Sequence, residues 1–253
     1  MIELYHFEPT SNSGEVLICL KEKGIDYVGH YVDVLKGEQF SADFLQLNPA
    51  GQVPVLVHDD QVLTETGFIL QYLEDVFHAV SLTPHSPEGR YWVNVWIKYV
   101  NEHLAPAAWK LGIASTVAGL GEEGRAVIEA ALGRAPPERQ QAWAKAFAGF
   151  DAIELEIARG LLPERLKRME SALSASEWLA GDHYSLADIV VFPTANALPG
   201  VAGDLVNATA TPRIWDWLER MRSRPAVQAA LAEARTEHPE AVFAPGPEGS
   251  RWG

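Results

Sequence analysis

The run Asn48-Pro49-Ala50-Gly51-Gln52-Val53-Pro54-Val55-Leu56-Val57, followed shortly by Leu63-Thr64-Glu65-Thr66-Gly67, decides how the first third of this chain folds. Pro54 opens an apolar, β-branched run but has no N–H to give to a ladder, so a turn or a cis bond just before it is favoured. On that reading the backbone N–H and C=O of Val53 stay free to pair with an extended, peptide-like ligand, as in strand addition. An edge strand behind a trans proline is the alternative. Val53–Val57 and Gln61–Leu63 flank His58-Asp59-Asp60 and read as a hairpin. From about Glu65 to Phe77 the spacing predicts a helix that buries Phe68, Ile69, Tyr72, Leu73 and Val76.

Working outward, Ile2, Leu4, Tyr5 and Phe7 form a short apolar strand, and Glu8 to Ser13 a polar loop. Val16, Leu17 and Leu20 then fall at helical spacing, and Gly24 after Lys21 and Lys23 is a helix stop. Tyr27 to Val34 reads as a strand and Ser41 to Leu47 as a short helix. The order βαβ, α, ββα predicts a small mixed sheet with helices on its faces, over residues 1–80. After Pro84 and Pro87 the periodicity is helical throughout. Helices are predicted over about 87–112, 120–132, 136–174 with a break near Gly160, 186–197 and 212–234. The second domain is thus all-helical, 87–235, with 236–253 an irregular tail whose Phe243 and Trp252 are positioned to dock. Ser185-Leu186-Ala187-Asp188 has the pattern of a capping box, with the shorter Asp arm expected to reach back only in part.

Composition narrows the function. The 253 residues hold 20 Lys and Arg against 34 Asp and Glu, a formal charge of −14, and mean hydropathy is −0.06. No basic stripe is available for a nucleic-acid backbone, and no apolar run approaches the ~18 residues of a membrane span. These features predict a soluble, cytoplasmic protein. The single cysteine, Cys19, excludes an internal disulfide and any multi-cysteine metal centre, and the eight histidines show no metal-ligand spacing, so no metal is expected.

Three polar segments of the first domain are candidates for chemistry. Ser11-Asn12-Ser13 opens a helix, where N–H groups and the positive end of the dipole favour an anion such as a thiolate; a simple N-cap is the alternative. Glu65 and Thr66 open another helix and suit the zwitterionic end of an amino acid, or merely cap it. Lys36-Gly37-Glu38-Gln39-Phe40, taken alone, is a solvated connector.

Together, Asn48 to Leu56, Thr64-Glu65-Thr66 and Ser185 to Asp188 resemble the glutathione transferases over nearly the whole chain. The resemblance implies a thioredoxin-like N-terminal domain, βαβαββα, followed by an all-helical one. It implies that Pro54 is a cis-proline with Val53 pairing to the cysteinyl backbone of glutathione. Glu65 and Thr66 then hold the γ-glutamyl end, Gln39 and Gln52 reach the peptide and glycyl side, and Ser13 or Asn12 activates the thiol. Glutathione is a cosubstrate in this scheme, and a homodimer is implied. Cys19, in the first helix, stands away from the loop, which disfavours disulfide chemistry. Gly14 and Glu15 depart from the pattern: a flexible residue and a carboxylate at the helix start, the latter able to repel a thiolate.

Within the family, Ser11-Asn12-Ser13, Lys36 to Gln39, Leu73-Glu74-Asp75-Val76-Phe77 and the segment from Pro136 to Trp143, in a helical insert over about 115–160, resemble the bacterial glutathione-dependent β-etherases of lignin breakdown. That implies a hydrophobic aromatic substrate. Trp92, Trp96, Tyr99 and His103 recur at four, three and four residues and share a helix face that the resemblance turns toward a second-substrate pocket. Packing between the domains is the other reading of that stripe. Trp109 and Trp143 are further candidates. A general transferase acting on alkyl halides or epoxides, and a non-catalytic glutathione-binding scaffold, are the competing functions.

Overall fold

The computed structural model describes residues 1–243. β1 (Ile2–His6), α1 (Ser13–Lys23) and β2 (Val28–Tyr31) form a βαβ unit with parallel strands. Two 3-10 turns (Val34–Lys36 and Glu38–Phe40) and α2 (Ala42–Leu47) lead to β3 (Val55–His58), β4 (Gln61–Leu63) and α3 (Thr66–Val76). β3 runs antiparallel to β1, with Leu56 opposite Leu4, and the sheet order is β2-β1-β3-β4. This is the thioredoxin-like arrangement. β2 is shorter than the predicted Tyr27–Val34 because Asp33 turns the chain, its carboxylate accepting the Leu35 N–H at 3.1 Å.

The remainder is helical: α4 (Pro87–Tyr99), a π turn (Val100–Leu104), α5 (Ala105–Gly119), α6 (Gly121–Leu132), α7 (Pro137–Ala148), α8 (Ala152–Ala175), α9 (Leu186–Ala202), α10 (Pro212–Ser223) and α11 (Pro225–Leu231). Three sequence expectations are corrected here. The π turn falls where Pro106 has no N–H to offer Glu102, so the first predicted helix is not continuous. The break in the third falls at Gly149, with φ 83°, and not at Gly160, which lies inside α8. Asp151 restarts the chain as α8 by accepting the Glu154 N–H at 2.8 Å. Finally, 212–234 divides at Arg224, held extended by the following Pro225.

One core runs through both domains, from Leu4, Leu17 and Leu56 to Val190, Phe192 and Trp217. Contrary to expectation, Phe68 and Val76 point outward from α3, at 66% and 41% exposure. A second cluster of Phe40, Ile128, Ala131, Trp143 and Phe147 seats α6 and α7 on the turn at Glu38–Phe40. A Cβ on Gly37 would lie 2.4 Å from that of Ala131, and Arg134 Nε donates to Phe40 O at 2.8 Å. The segment read as a solvated connector is therefore roofed by the helical insert. Trp143 is a fully buried part of that roof.

The capping box at α9 is complete. Asp188 is buried and accepts from Ser185 N–H at 3.1 Å, Leu179 N–H at 3.0 Å and the Trp217 indole N–H at 2.9 Å. The short Asp arm reaches fully because Ser185 is extended and brings its N–H to the carboxylate. Burial pushes the Asp188 pKa up to about 6. Each buried donor stripped of its acceptor costs ~1–3 kcal/mol. Asp188→Ala is thus expected to destabilise the protein by ~3 kcal/mol or more, read from the denaturant midpoint at unchanged slope.

Candidate active site

The N-terminus of α1, the start of β3 and the start of α3 meet at one end of the sheet. The β1–β3 register places Val55 opposite Tyr5, which carries Val53 and Pro54 toward Phe7. Phe7 in turn donates its N–H to Ser13 Oγ at 2.9 Å. Ser13 is fully buried, so this hydroxyl faces inward and fixes the loop. Ser11 Oγ donates to Glu8 O at 2.6 Å and accepts the Ser13 N–H at 3.2 Å. Asn12 is exposed and its side chain makes no capping bond, which leaves its amide at the positive end of α1. A Cβ on Gly14 would stand 1.8 Å from Pro9 O, so glycine there serves a close approach and not the flexibility anticipated from sequence.

Val53–Pro54 is cis. Asn48 shapes the preceding turn, its amide donating to Gln52 O at 2.7 Å while its oxygen accepts the Ala50 N–H at 3.1 Å. Among the described residues neither the N–H nor the C=O of Val53 takes a hydrogen-bond partner. A half-buried backbone pair left open beside a strand start is what strand addition requires. Gln52 is half-buried alongside. Gln39 is buried: its amide donates to Val34 O at 3.3 Å, and its Oε1 has no partner among the described residues.

Glu65 has φ 66°, ψ 105°, a left-handed φ that a non-glycine residue rarely adopts, and its carboxylate is exposed. Thr66 begins α3 and is buried. Glu15, in the first turn of α1, is likewise buried, and the Thr66 side chain offsets in part the rise that burial imposes on its pKa. Burial pushes the Glu15 pKa up to about 8. The acid is therefore largely neutral at pH 7, and the expected charge repulsion of a thiolate does not arise. Cys19 is buried within α1, and burial pushes its thiol up to about 12, which makes it a poor nucleophile.

The aromatic stripe divides: the rings of Trp96, Tyr99 and His103 follow one another at 5.0 and 6.0 Å between centroids, and Trp92 turns away to Tyr91. Trp96 donates its indole N–H to Leu179 O at 2.7 Å and Tyr99 its hydroxyl to Arg165 O at 2.7 Å, with the Arg168 guanidinium against both rings. Both residues belong to the core. Trp92 is exposed beside Tyr91, and the π turn leaves His103 exposed. Trp109 differs from these: it packs with Ile113, Ala146, Phe150 and Phe243, and its indole N–H is buried without a partner among the described residues.

The docking expected of Phe243 is one of several contacts made by the segment after α11, whose polar anchors carry no sequence signal. The Glu8 carboxyl accepts from the N–H groups of Arg235 and Thr236, at 3.2 and 3.0 Å, and from the Tyr31 hydroxyl at 2.5 Å. Thr10 donates its hydroxyl to Pro239 O. Beyond a 3-10 turn (Pro239–Ala241), Thr116 on α5 donates to Ala241 O at 3.1 Å and accepts the Phe243 N–H at 2.8 Å. The Phe243 ring rests on Gly112, where a Cβ would fall 2.2 Å from it. The tail thus straps the loop before α1 to α5. Trp252 lies outside the described residues. A separate groove of about 430 Å³ between α3, the connector and α4, lined by Gln71, Glu74, His78, Arg90 and Asn94, contains none of the candidate residues. Among the described residues no helix is long and apolar enough to cross a membrane, and no group of three or more His, Cys, Asp or Glu residues converges as a metal site would require.

Comparison with known proteins bears on this arrangement directly. The family models for the glutathione S-transferase N-terminal and C-terminal domains match residues 1–75 and 128–225. The chain belongs to the glutathione S-transferase family. This transferase is 37% identical to the protein LigF of Sphingobium sp. strain SYK-6 over 93% of the chain and 95% of LigF. The crystal structure of the β-etherase LigF from that organism superimposes with a TM-score of 0.84 at 36% identity, covering 92% of this chain and 99% of the other. Glutathione S-transferase 3 of Zea mays is 30% identical over 91% of this chain and 93% of its own length. A glutathione transferase from Burkholderia graminis, solved with two glutathione molecules bound per subunit, is similar at 28% identity and a TM-score of 0.72, over 92% and 88% of the two chains.

Glu8 tests the strap. Glu8→Ala leaves three donors without their acceptor, and at ~1–3 kcal/mol for each unsatisfied buried group the tail is expected to detach before the domains unfold. Limited proteolysis should cut the variant between Arg235 and Val242 at least several-fold faster than the parent; equal rates would place the anchor elsewhere.

Proposed function

We propose that this transferase cleaves β-aryl ethers of lignin-derived aromatic ketones with glutathione as cosubstrate. The observation that carries the glutathione reading is the open Val53 backbone pair behind the cis Pro54, set beside two helix N-termini. Val53 pairs with the cysteinyl backbone, Thr66 and Glu65 take the γ-glutamyl carboxylate and ammonium, and Gln52 and Gln39 reach the rest of the peptide. The net charge of −14 opposes an anionic ligand, so local N–H groups and dipoles supply the attraction. What supports the ether-cleaving reading is the similarity to LigF over nearly the whole of both chains.

The chemistry needs a thiolate. A free thiol has a pKa of ~8.5, and each unit by which the site lowers it is worth ~1.4 kcal/mol toward the charged form. Asn12, exposed at the positive end of α1, donates to the sulfur, while Ser13 holds the loop from below. The thiolate attacks the carbon next to the ketone and forms the C–S bond as the C–O bond breaks. The phenolate departs with that electron pair and takes a proton from water. The neighbouring carbonyl accelerates the displacement, and no protein nucleophile is used. Trp109 and Phe243, beside the strap, offer the apolar wall that an aromatic substrate requires. The site works in a cytoplasmic homodimer, for which Phe68 on α3 and Tyr91 and Trp92 on α4 present exposed aromatic surface.

Incubation with glutathione and each enantiomer of a β-guaiacyl-ether ketone is expected to yield guaiacol and a glutathione thioether. Conjugation of an alkyl halide without phenol release would mark a general glutathione transferase instead. Asn12→Ala should lower kcat by tenfold or more with little change in glutathione affinity, by the scale of lost charge-stabilising donors (~10²–10³ for an oxyanion). Ser13→Ala should chiefly lower stability, by ~1–3 kcal/mol for the stranded Phe7 N–H. The opposite pattern in paired kinetic and unfolding measurements would assign the thiol contact to Ser13.

A further inference from the structure

Arg134 is an exposed cation in the turn between α6 and α7. Its Nε donates to Phe40 O at 2.8 Å, 94 positions away in the chain, which holds the guanidinium beside the residue that follows Gln39. The insert and the turn are pressed together around this bond. Gly37 meets Ala131 with no room for a Cβ, and the Phe40 ring is buried with Ile128, Trp143 and Phe147. The same ring lies against Gly51, where a Cβ would fall 2.8 Å from the ring and 3.5 Å from Gln39 O. The segments that carry Gln39 and Gln52 therefore touch, and Arg134 is anchored where they do. Charge sets this position apart. Among the described residues no carboxylate pairs with Arg134. Lys36, in the same turn as Gln39, is paired with Asp33 at 2.9 Å, and on the insert Arg125 is paired with Glu129 at 2.8 Å and Lys145 with Glu154 at 2.9 Å.

We infer that Arg134 binds the glycyl carboxylate of glutathione, so that the helical insert supplies a residue of the cosubstrate site. The inference rests on the assignment of Gln39 and Gln52 to the glycyl side. With Nε committed to Phe40 O, the terminal nitrogens of the guanidinium remain as donors, in the planar fork that matches a carboxylate. A side chain already anchored at one nitrogen has less freedom to lose on binding than an untethered one. The cation also answers the charge problem locally. A chain of net charge −14 repels an anionic tripeptide at long range, and an unpaired guanidinium at the junction offsets this at short range. The packing of Phe40 and Ala131 then has a functional consequence: it fixes where the cation stands.

The test is calorimetric titration at pH 7 with S-methylglutathione and with its glycyl ethyl ester, which lacks that one negative charge. The parent protein should bind the ester about tenfold more weakly than the acid, the scale of a lost charge-assisted hydrogen bond. Arg134→Gln should bind the acid about tenfold more weakly than the parent does and the ester within about twofold of it, so that the two ligands bind alike. Arg134→Glu should make the ester the tighter ligand. An Arg134→Gln variant that prefers the acid as strongly as the parent would overturn the inference and leave the glutathione reading intact. Equal weakening of both ligands would also overturn it, since a residue that only supports the turn cannot sense the ester. A parent that binds acid and ester alike overturns it as well, and one that binds neither overturns the glutathione reading itself. Should Arg134→Gln not fold, Arg134→Lys decides: it keeps the charge without the fork, and discrimination against the ester as strong as in the parent would overturn the bidentate contact.

Discussion

Helix α1 has no solvent face along its first eight residues: Ser13 to Leu20 are all buried, by the sheet, α3, α9 and α11. The rest of the molecule depends on this enclosure. An ordinary amphipathic helix buries one stripe against one sheet, whereas α1 is core to both domains at once. Its N-terminus, where the thiol is to be charged, is therefore held by the packing of the whole protein and not by a local loop. At the other end, Lys23 is buried and donates to Phe77 O, Val80 O and Glu74, which ties α1 to α3 and to the connector leading into the helical domain. Arg224 after α10 reaches back to Glu22 at 2.6 and 2.9 Å.

Enclosure on this scale forces polar groups inside, and the structure treats each differently. Asp188 is surrounded by four donors and anchors the start of α9. Glu8 meets the N–H groups of the tail, so a residue of the loop beside the reactive end of α1 holds a segment more than two hundred positions away. Glu15 is buried with too little around it to offset its desolvation, and burial raises its pKa to about 8. Position in the core, more than residue type, separates a structural carboxylate from a titrating one.

The helical insert shows the same dependence. α6 and α7 rest on Gly37 and Phe40, so the turn that carries Gln39 is covered from above. A small residue on each side, Gly37 and Ala131, lets the two segments meet at van der Waals distance. The tail adds a second bridge through Thr116 and Phe243 to α5. Loop, insert and strap thereby bound the candidate site with residues drawn from every part of the chain.

What the sequence determined by itself is whatever short-range chemistry dictates. Pro54 at a strand start, Gly24 at a helix end, the hydrophobic period of α1 and α3, and the Ser185–Asp188 cap each follow from backbone sterics and local hydrogen bonds, and with them the domain order. Local signals were also present at Pro106, at Gly149 with Asp151, and at the Arg224–Pro225 step, where the helix breaks actually fall. The tertiary structure alone decided what each polar or aromatic side chain faces. Ser13 turned inward and Asn12 outward, Trp96 and Tyr99 entered the core, Phe68 left it, and Glu15 was buried. Those outcomes depend on desolvation and on partners far away in the chain, and periodicity carries no record of either.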